Sequence, residues 1–123
     1  MKQTNVTPFF KDGVHVIGQR TVPVAVPDTE SQVFNNQIYS DLTLEVKGTS
    51  GSAAFPIKVL GCIDVESAPS YSEILGSNMK TSDPVAQIEE TGLYKFSVVG
   101  VSHIKVVLAA VCDDITITGK FVE

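Results

Sequence analysis

From residue 42 onward the chain alternates apolar and polar positions with a period of two. Leu42, Leu44 and Val46 are interleaved with Thr43, Glu45 and Lys47, which predicts a strand with one buried face. A Gly/Ser/Thr cluster at 48–52 follows and has the composition of a hairpin loop. Phe55, Ile57, Val59, Gly61 and Ile63 then share a face, opposite Lys58 and Asp64. The alternation returns at Tyr94, Phe96 and Val98, at Ile104, Val106 and Leu108, and at Ile115, Ile117, Gly119 and Phe121. Of these, Phe55, Ile57, Val59, Tyr94, Phe96, Val98, Ile104, Val106, Ile115 and Ile117 are the expected core. Between them, residues 66–84 are rich in turn formers around a short apolar centre, Tyr71 to Leu75, and residues 85–88 read as one more short strand. No stretch carries the i, i+3, i+4, i+7 apolar spacing of a helix. Short strands punctuated by turns about every 8–12 residues predict an antiparallel β-sandwich of the jelly-roll type.

Residues 1–41 read differently. Pro23 and Pro27 hold the run Thr21 to Pro27 extended and out of the middle of a sheet. Residues 32–39 suggest a short strand and a connection. The expected organisation is an extended N-terminal arm, 1–41, and a sandwich domain, 42–123. Apolar side chains in the arm, Phe9, Phe10, Val22, Val24 and Val26 foremost, must cover some surface, because leaving a large one in water costs roughly 1.5–3 kcal/mol. That surface is either the chain's own core or a neighbouring subunit. The second option makes these five the candidate interface residues.

Composition narrows the function classes. The 123 residues are 43% hydrophobic and 19% charged, values of an ordinary globular domain. No apolar run reaches the roughly 18 residues of a membrane-spanning helix, and the first residues show no secretory h-region. Nine Lys and Arg against 14 Asp and Glu give a net charge of −5, which repels a phosphate backbone. Neither nucleic acid nor membrane is an expected partner.

The residues that carry chemistry are few. Cys62 and Cys112 sit in apolar runs without metal-ligand spacing and read as buried, reduced thiols rather than a disulfide. Asp113-Asp114 and Glu89-Glu90 lie at turns, and adjacent side chains on a strand diverge. His103 reads as a surface or interface residue, since no nucleophile motif accompanies it. No glycine-rich phosphate loop is present. The expectation is no catalytic residue, no metal and no cofactor.

The order of strings in the second half resembles small bacteriophage virion proteins with a β-sandwich fold. The matching strings are residues 42–47, the turn at 48–52, residues 57–64, the run Gly92-Leu93-Tyr94-Lys95-Phe96-Ser97-Val98-Val99-Gly100, His103-Ile104-Lys105-Val106, and the closing Ile115-Thr116-Ile117-Thr118-Gly119. The resemblance covers residues 42–122. It departs at residues 62–66, where such proteins often carry Gly-Ser-x-Asp-Gly and an aromatic. It implies a non-enzymatic structural role in the virion: capsid decoration, a head fibre base or a tail-associated adaptor. It also implies a homotrimer or another closed oligomer, phage capsid or tail proteins as partners, and assembly in the host cytoplasm. Two alternatives remain open: a ligand- or carbohydrate-binding sandwich of a tail fibre or cell-surface protein, and a small cupin-type enzyme.

Overall fold

Strict alternation gives the central strand its two faces: Leu42, Leu44 and Val46 are buried, while Asp41, Thr43 and Glu45 remain partly accessible. The computed structural model describes residues 4–11, 14–17, 20–21, 29–31, 33–36, 39–48, 53–63, 71–110, 112 and 114–123. Along these the strands are β1 (Thr4–Lys11), β2 (Val14–Ile17), β3 (Arg20–Thr21), β4 (Phe34–Asn35), β5 (Asp41–Lys47) and β6 (Lys58–Cys62). They continue as β7 (Ser72–Glu73), β8 (Gly76–Asn78), β9 (Pro84–Val85), β10 (Gly92–Ser97), β11 (His103–Val107) and β12 (Thr116–Val122). No helix occurs among the described residues.

The strands form two antiparallel sheets, packed as an all-β sandwich. The larger has the order β3-β2-β1-β12-β5-β10-β8-β9 and the smaller β4-β11-β6-β7. Between them lie Leu42, Leu44, Tyr94, Phe96, Ile117 and Phe121 from one side and Ile57, Val59, Ile104 and Val106 from the other, all buried. Nine of the ten expected core residues are buried; Phe55 is only half-buried and packs against the edge of the core. Ile63, expected on the same face, is instead 74% exposed, because the strand ends at Cys62.

Ahead of residue 41, β1 belongs to the large sheet. β1 lies between β2 and β12, pairing Thr4 with Val122 and Phe10 with Ile117. Its register shifts between Pro8 and Phe10, a bulge that spoils the alternation. Both Phe9 and Phe10 thereby turn inward, and both are completely buried. Phe9 meets Phe34 of the opposite sheet edge-on, with ring centroids 4.5 Å apart. Its ring lies over Gly119, where an added Cβ would stand only 2.5 Å from Phe9 Cε2. Further along, Glu30 bridges to Val107, and Ser31 takes the Val106 amide on its hydroxyl at 2.9 Å. Where it is described, the N-terminal segment is part of the sandwich. Phe9 and Phe10 are buried in the chain's own core, while Val22, Val24 and Val26 lie outside the described residues.

Tyr94 shows how a polar group is admitted to this core. Its ring is buried and its hydroxyl donates to the Glu90 carbonyl at 2.8 Å. Burial, and after it the charge of Glu90, raises the phenol pKa above its usual value. The unfolded chain therefore loses this proton first, starting near pH 10, so the stability Tyr94 contributes is intact below that and is lost as pH rises through the folded value. Tyr94→Phe should cost about 1 kcal/mol at neutral pH. In denaturant titrations from pH 8 to 11, the variant should lose less stability than the wild type above about pH 10. Parallel curves would refute the assignment.

Candidate functional site

The turn from β10 into β11 is tied down by a single side chain. Val101 N–H donates to the Val98 carbonyl at 3.1 Å, and Gly100 takes φ +81°, a left-handed value that glycine adopts without strain. Asn36, just beyond β4 and only 7% exposed, closes over both ends of this turn. Its Nδ2 donates to the carbonyls of Val98 at 3.0 Å, Val101 at 3.1 Å and Tyr39 at 3.2 Å. Its Oδ1 accepts the Tyr39 amide at 3.1 Å, and its own amide donates to the Ser102 carbonyl at 2.7 Å. One amide side chain thus joins the 36–39 connection to both ends of the 98–102 turn.

Beside the turn opens a cleft of about 450 Å³, walled by Asn35, Tyr39, Ile63, Val101, Ser102 and His103. Tyr39 is fixed from behind by Phe121, with centroids 5.5 Å apart. His103 stands at the start of β11 with Asn35 opposite it on one side and Cys62 on the other. It is half-buried rather than fully at the surface, and its Nδ1 is enclosed with no hydrogen-bond partner among the described residues. Buried ring nitrogens almost always find a partner, so this one is an exception within the sandwich. A second cleft of about 580 Å³ lies across the Ile63–Val101 wall, between Cys62, Ser72, Ile74 and Val99. Val99, at the tip of the turn, is 69% exposed.

The outer face of the small sheet carries the remaining polar groups. Lys105 Nζ lies 4.3 Å from the centroid of the Tyr71 ring and 2.9 Å from Glu30 Oε1. Burial raises the Tyr71 phenol pKa, with the neighbouring Cys62 adding to the shift. Lys58 and Glu73 pair at 3.1 Å, a solvent-exposed contact of small energetic weight. Cys62 and Cys112 form no disulfide, and the Cys112 thiol donates to Asp114 Oδ1 at 2.6 Å. Among the described residues, no three His, Cys, Asp or Glu side chains gather as metal ligands.

The cleft was not foreseen from the sequence. Asn36, Tyr39 and Ser102 come from stretches that read as connections, and only His103 had been singled out. The nearest signal was the pair Asn35-Asn36 between Phe34 and Tyr39, two amides where a plain loop would need none.

The sequence matches no known protein family and no curated protein. The fold does have solved counterparts, and they are prophage-derived. One is the SPBc2 prophage-derived protein YomS, with a TM-score of 0.75 and 18% identity over 100% of this chain and 96% of that one. Another is the PBSX exported protein XepA, with a TM-score of 0.74 and 13% identity over 99% of this chain. The chain spans 38% of XepA. At these identities the likeness is one of fold.

Proposed function

We propose that this chain is a non-enzymatic structural protein of a bacteriophage particle, acting through self-association and attachment to capsid or tail proteins. The observation that carries the proposal is the YomS match, in which nearly the whole of a prophage-derived protein superposes on the whole of this chain. The order of strand strings in residues 42–122 supports the same reading independently. A rigid sandwich with a clamped turn suits a role in which geometry, not turnover, is the product. Capsid decoration, or another head- or tail-associated place, is the finer form of the proposal, with a closed homo-oligomer such as a trimer as the working unit. Phe9 and Phe10 are committed to the core, so Val22, Val24 and Val26 are the remaining candidates for that contact.

Particles banded from a lysate of the encoding phage should contain the chain at a fixed stoichiometry, and native mass measurement should give a closed oligomer. A chain found only in the particle-free fraction would overturn the proposal and favour an exported role, as the description of XepA has it. The polar cleft supports a second reading, a ligand-binding sandwich.

A further inference from the structure

We infer that the outer face of the large sheet is a self-complementary surface on which a second copy of this chain packs, sheet against sheet, about a two-fold axis. The inference rests on the particle reading only in expecting self-association, and it names the surface. Strands β12, β5 and β10 lie side by side in the middle of that sheet and are described throughout. They carry five charged residues, Asp41, Glu45, Lys47, Lys95 and Lys120, and all five alternate with the buried positions of their strands and so point outward. The strand registers set them in four rows that run across the sheet. Asp41 stands in the first row, between Ser97 and Val122. The second row runs Val6, Lys120, Thr43, Lys95, and the third runs Thr118, Glu45, Leu93. Lys47 stands in the fourth, beside Thr116. Between the second and third rows lies a shallow groove of about 260 Å³, lined by Val6, Thr43, Leu93 and Thr118 among others. Val6 and Leu93 are exposed there.

The order of charge across these rows fits the face to its own copy. A two-fold axis along the groove exchanges the second row with the third and the first with the fourth. Asp41 then lies over the partner's Lys47, and Lys47 over the partner's Asp41. Glu45 lies over the partner's Thr43, flanked by the partner's Lys120 and Lys95 at one strand spacing, about 4.8 Å, to either side. Every charge on the three strands meets an opposite one, and each match occurs twice. An axis along the strands, between β12 and β5, sets all five over threonine or valine instead: Thr43, Thr116, Thr118, Val6 and Val122. The contacts within one chain, Lys47 to Glu45 at 3.4 Å and Lys95 to Asp41 at 3.8 Å, are exposed and of little weight, so sharing them across the interface costs little. With three lysines and two carboxylates, the three strands are net positive in a chain of net charge −5, so copies meeting here keep their acidic remainders apart. Sheets packed face to face keep their strands within about 30° of alignment, an offset that lysine stems span. The patch covers five strands and the seven residues of β5, about 19 Å by 23 Å. That is the low end of specific interfaces, and a micromolar dimer is expected.

The test is a charge swap in the full chain, read by sedimentation velocity and native mass measurement. The wild type should show a monomer–dimer equilibrium that weakens as salt is added. Glu45→Lys should weaken it at least about tenfold, and so should the double variant Lys95→Glu with Lys120→Glu, because each sets like charges against one another on both sides of the axis. Mixed together, the two variants should form a heterodimer of near wild-type strength, since the exchange restores opposite charges at both contacts. A variant that has merely lost its fold is not rescued in this way, and melting temperatures check that both remain folded. Lys58→Glu, on the small sheet, should dimerise as the wild type does. The inference is overturned if the wild type stays monomeric at the highest concentration, if either reversed variant dimerises unchanged, or if the mixture stays monomeric. A trimer indifferent to these substitutions would also overturn it and leave the closed-oligomer reading standing. A monomeric chain present in particles sinks this inference alone. A chain that dimerises through this face and is absent from particles sinks the particle role alone.

Discussion

A chain lacking residues 1–11 should fail to fold, although the sequence pattern suggests that everything before residue 42 is dispensable. The deletion removes β1 from the interior of the large sheet, exposing the β12 edge from Ile117 to Val122. It also takes out two fully buried phenylalanines. Phe9→Ala alone should cost about 3–5 kcal/mol, since the ring is fully buried and fills the space between Gly119 and Phe34. Against a total stability of roughly 5–15 kcal/mol, that loss moves the chain close to its unfolding threshold. Urea unfolding followed by far-ultraviolet circular dichroism measures both. A truncated chain that unfolds cooperatively at the wild-type midpoint would show that β1 is an accessory strand.

Asn36→Ala should produce the next largest loss, about 3 kcal/mol. The substitution leaves the Val101 carbonyl and the Tyr39 amide without this partner and the Val98 carbonyl with the Val101 amide alone, and each unmet group costs roughly 1–3 kcal/mol, partly relieved by entering water. Asn36→Asp is the sharper variant. It keeps the acceptor for the Tyr39 amide but turns the donor into an oxygen facing carbonyls, so it should be at least as damaging as alanine. Thermal melts of the three proteins give the ranking. If aspartate restores wild-type stability, the amide nitrogen is not what holds the turn.

The sandwich was legible because alternation is a local signal. Leu42, Leu44 and Val46 need only their neighbours in sequence to declare a buried face, and the same holds for Tyr94 and Phe96 or Ile104 and Val106. The failures share one cause: the information sits elsewhere in the chain. Phe9 and Phe10 are consecutive, and a strand without a bulge would turn one of them outward, so the pair looked like an irregular arm. Only the register against Ile117 shows both facing in. Asn36 bonds carbonyls 62 and 65 positions away, contacts that leave no periodic trace. Ile63 continues an apolar alternation that the end of β6 cuts off. The cleft depends on such distant meetings, which is why one of its residues, His103, was noticed and its walls were not.

The pairing of β1 with β12 also orders events during synthesis. Thr4 is translated well over a hundred residues before its partner Val122. Phe9 and Phe10 must wait, exposed, while almost all of the remaining chain is translated, and non-local pairing of this kind slows folding. The nascent protein is therefore most vulnerable to aggregation through its own first strand. The same adjacency makes it suited to circular permutation: a short linker joining the two strand ends, with new termini opened at an exposed loop such as residues 79–83, would turn the most distant pairing in the chain into a hairpin and should speed folding without moving the cleft.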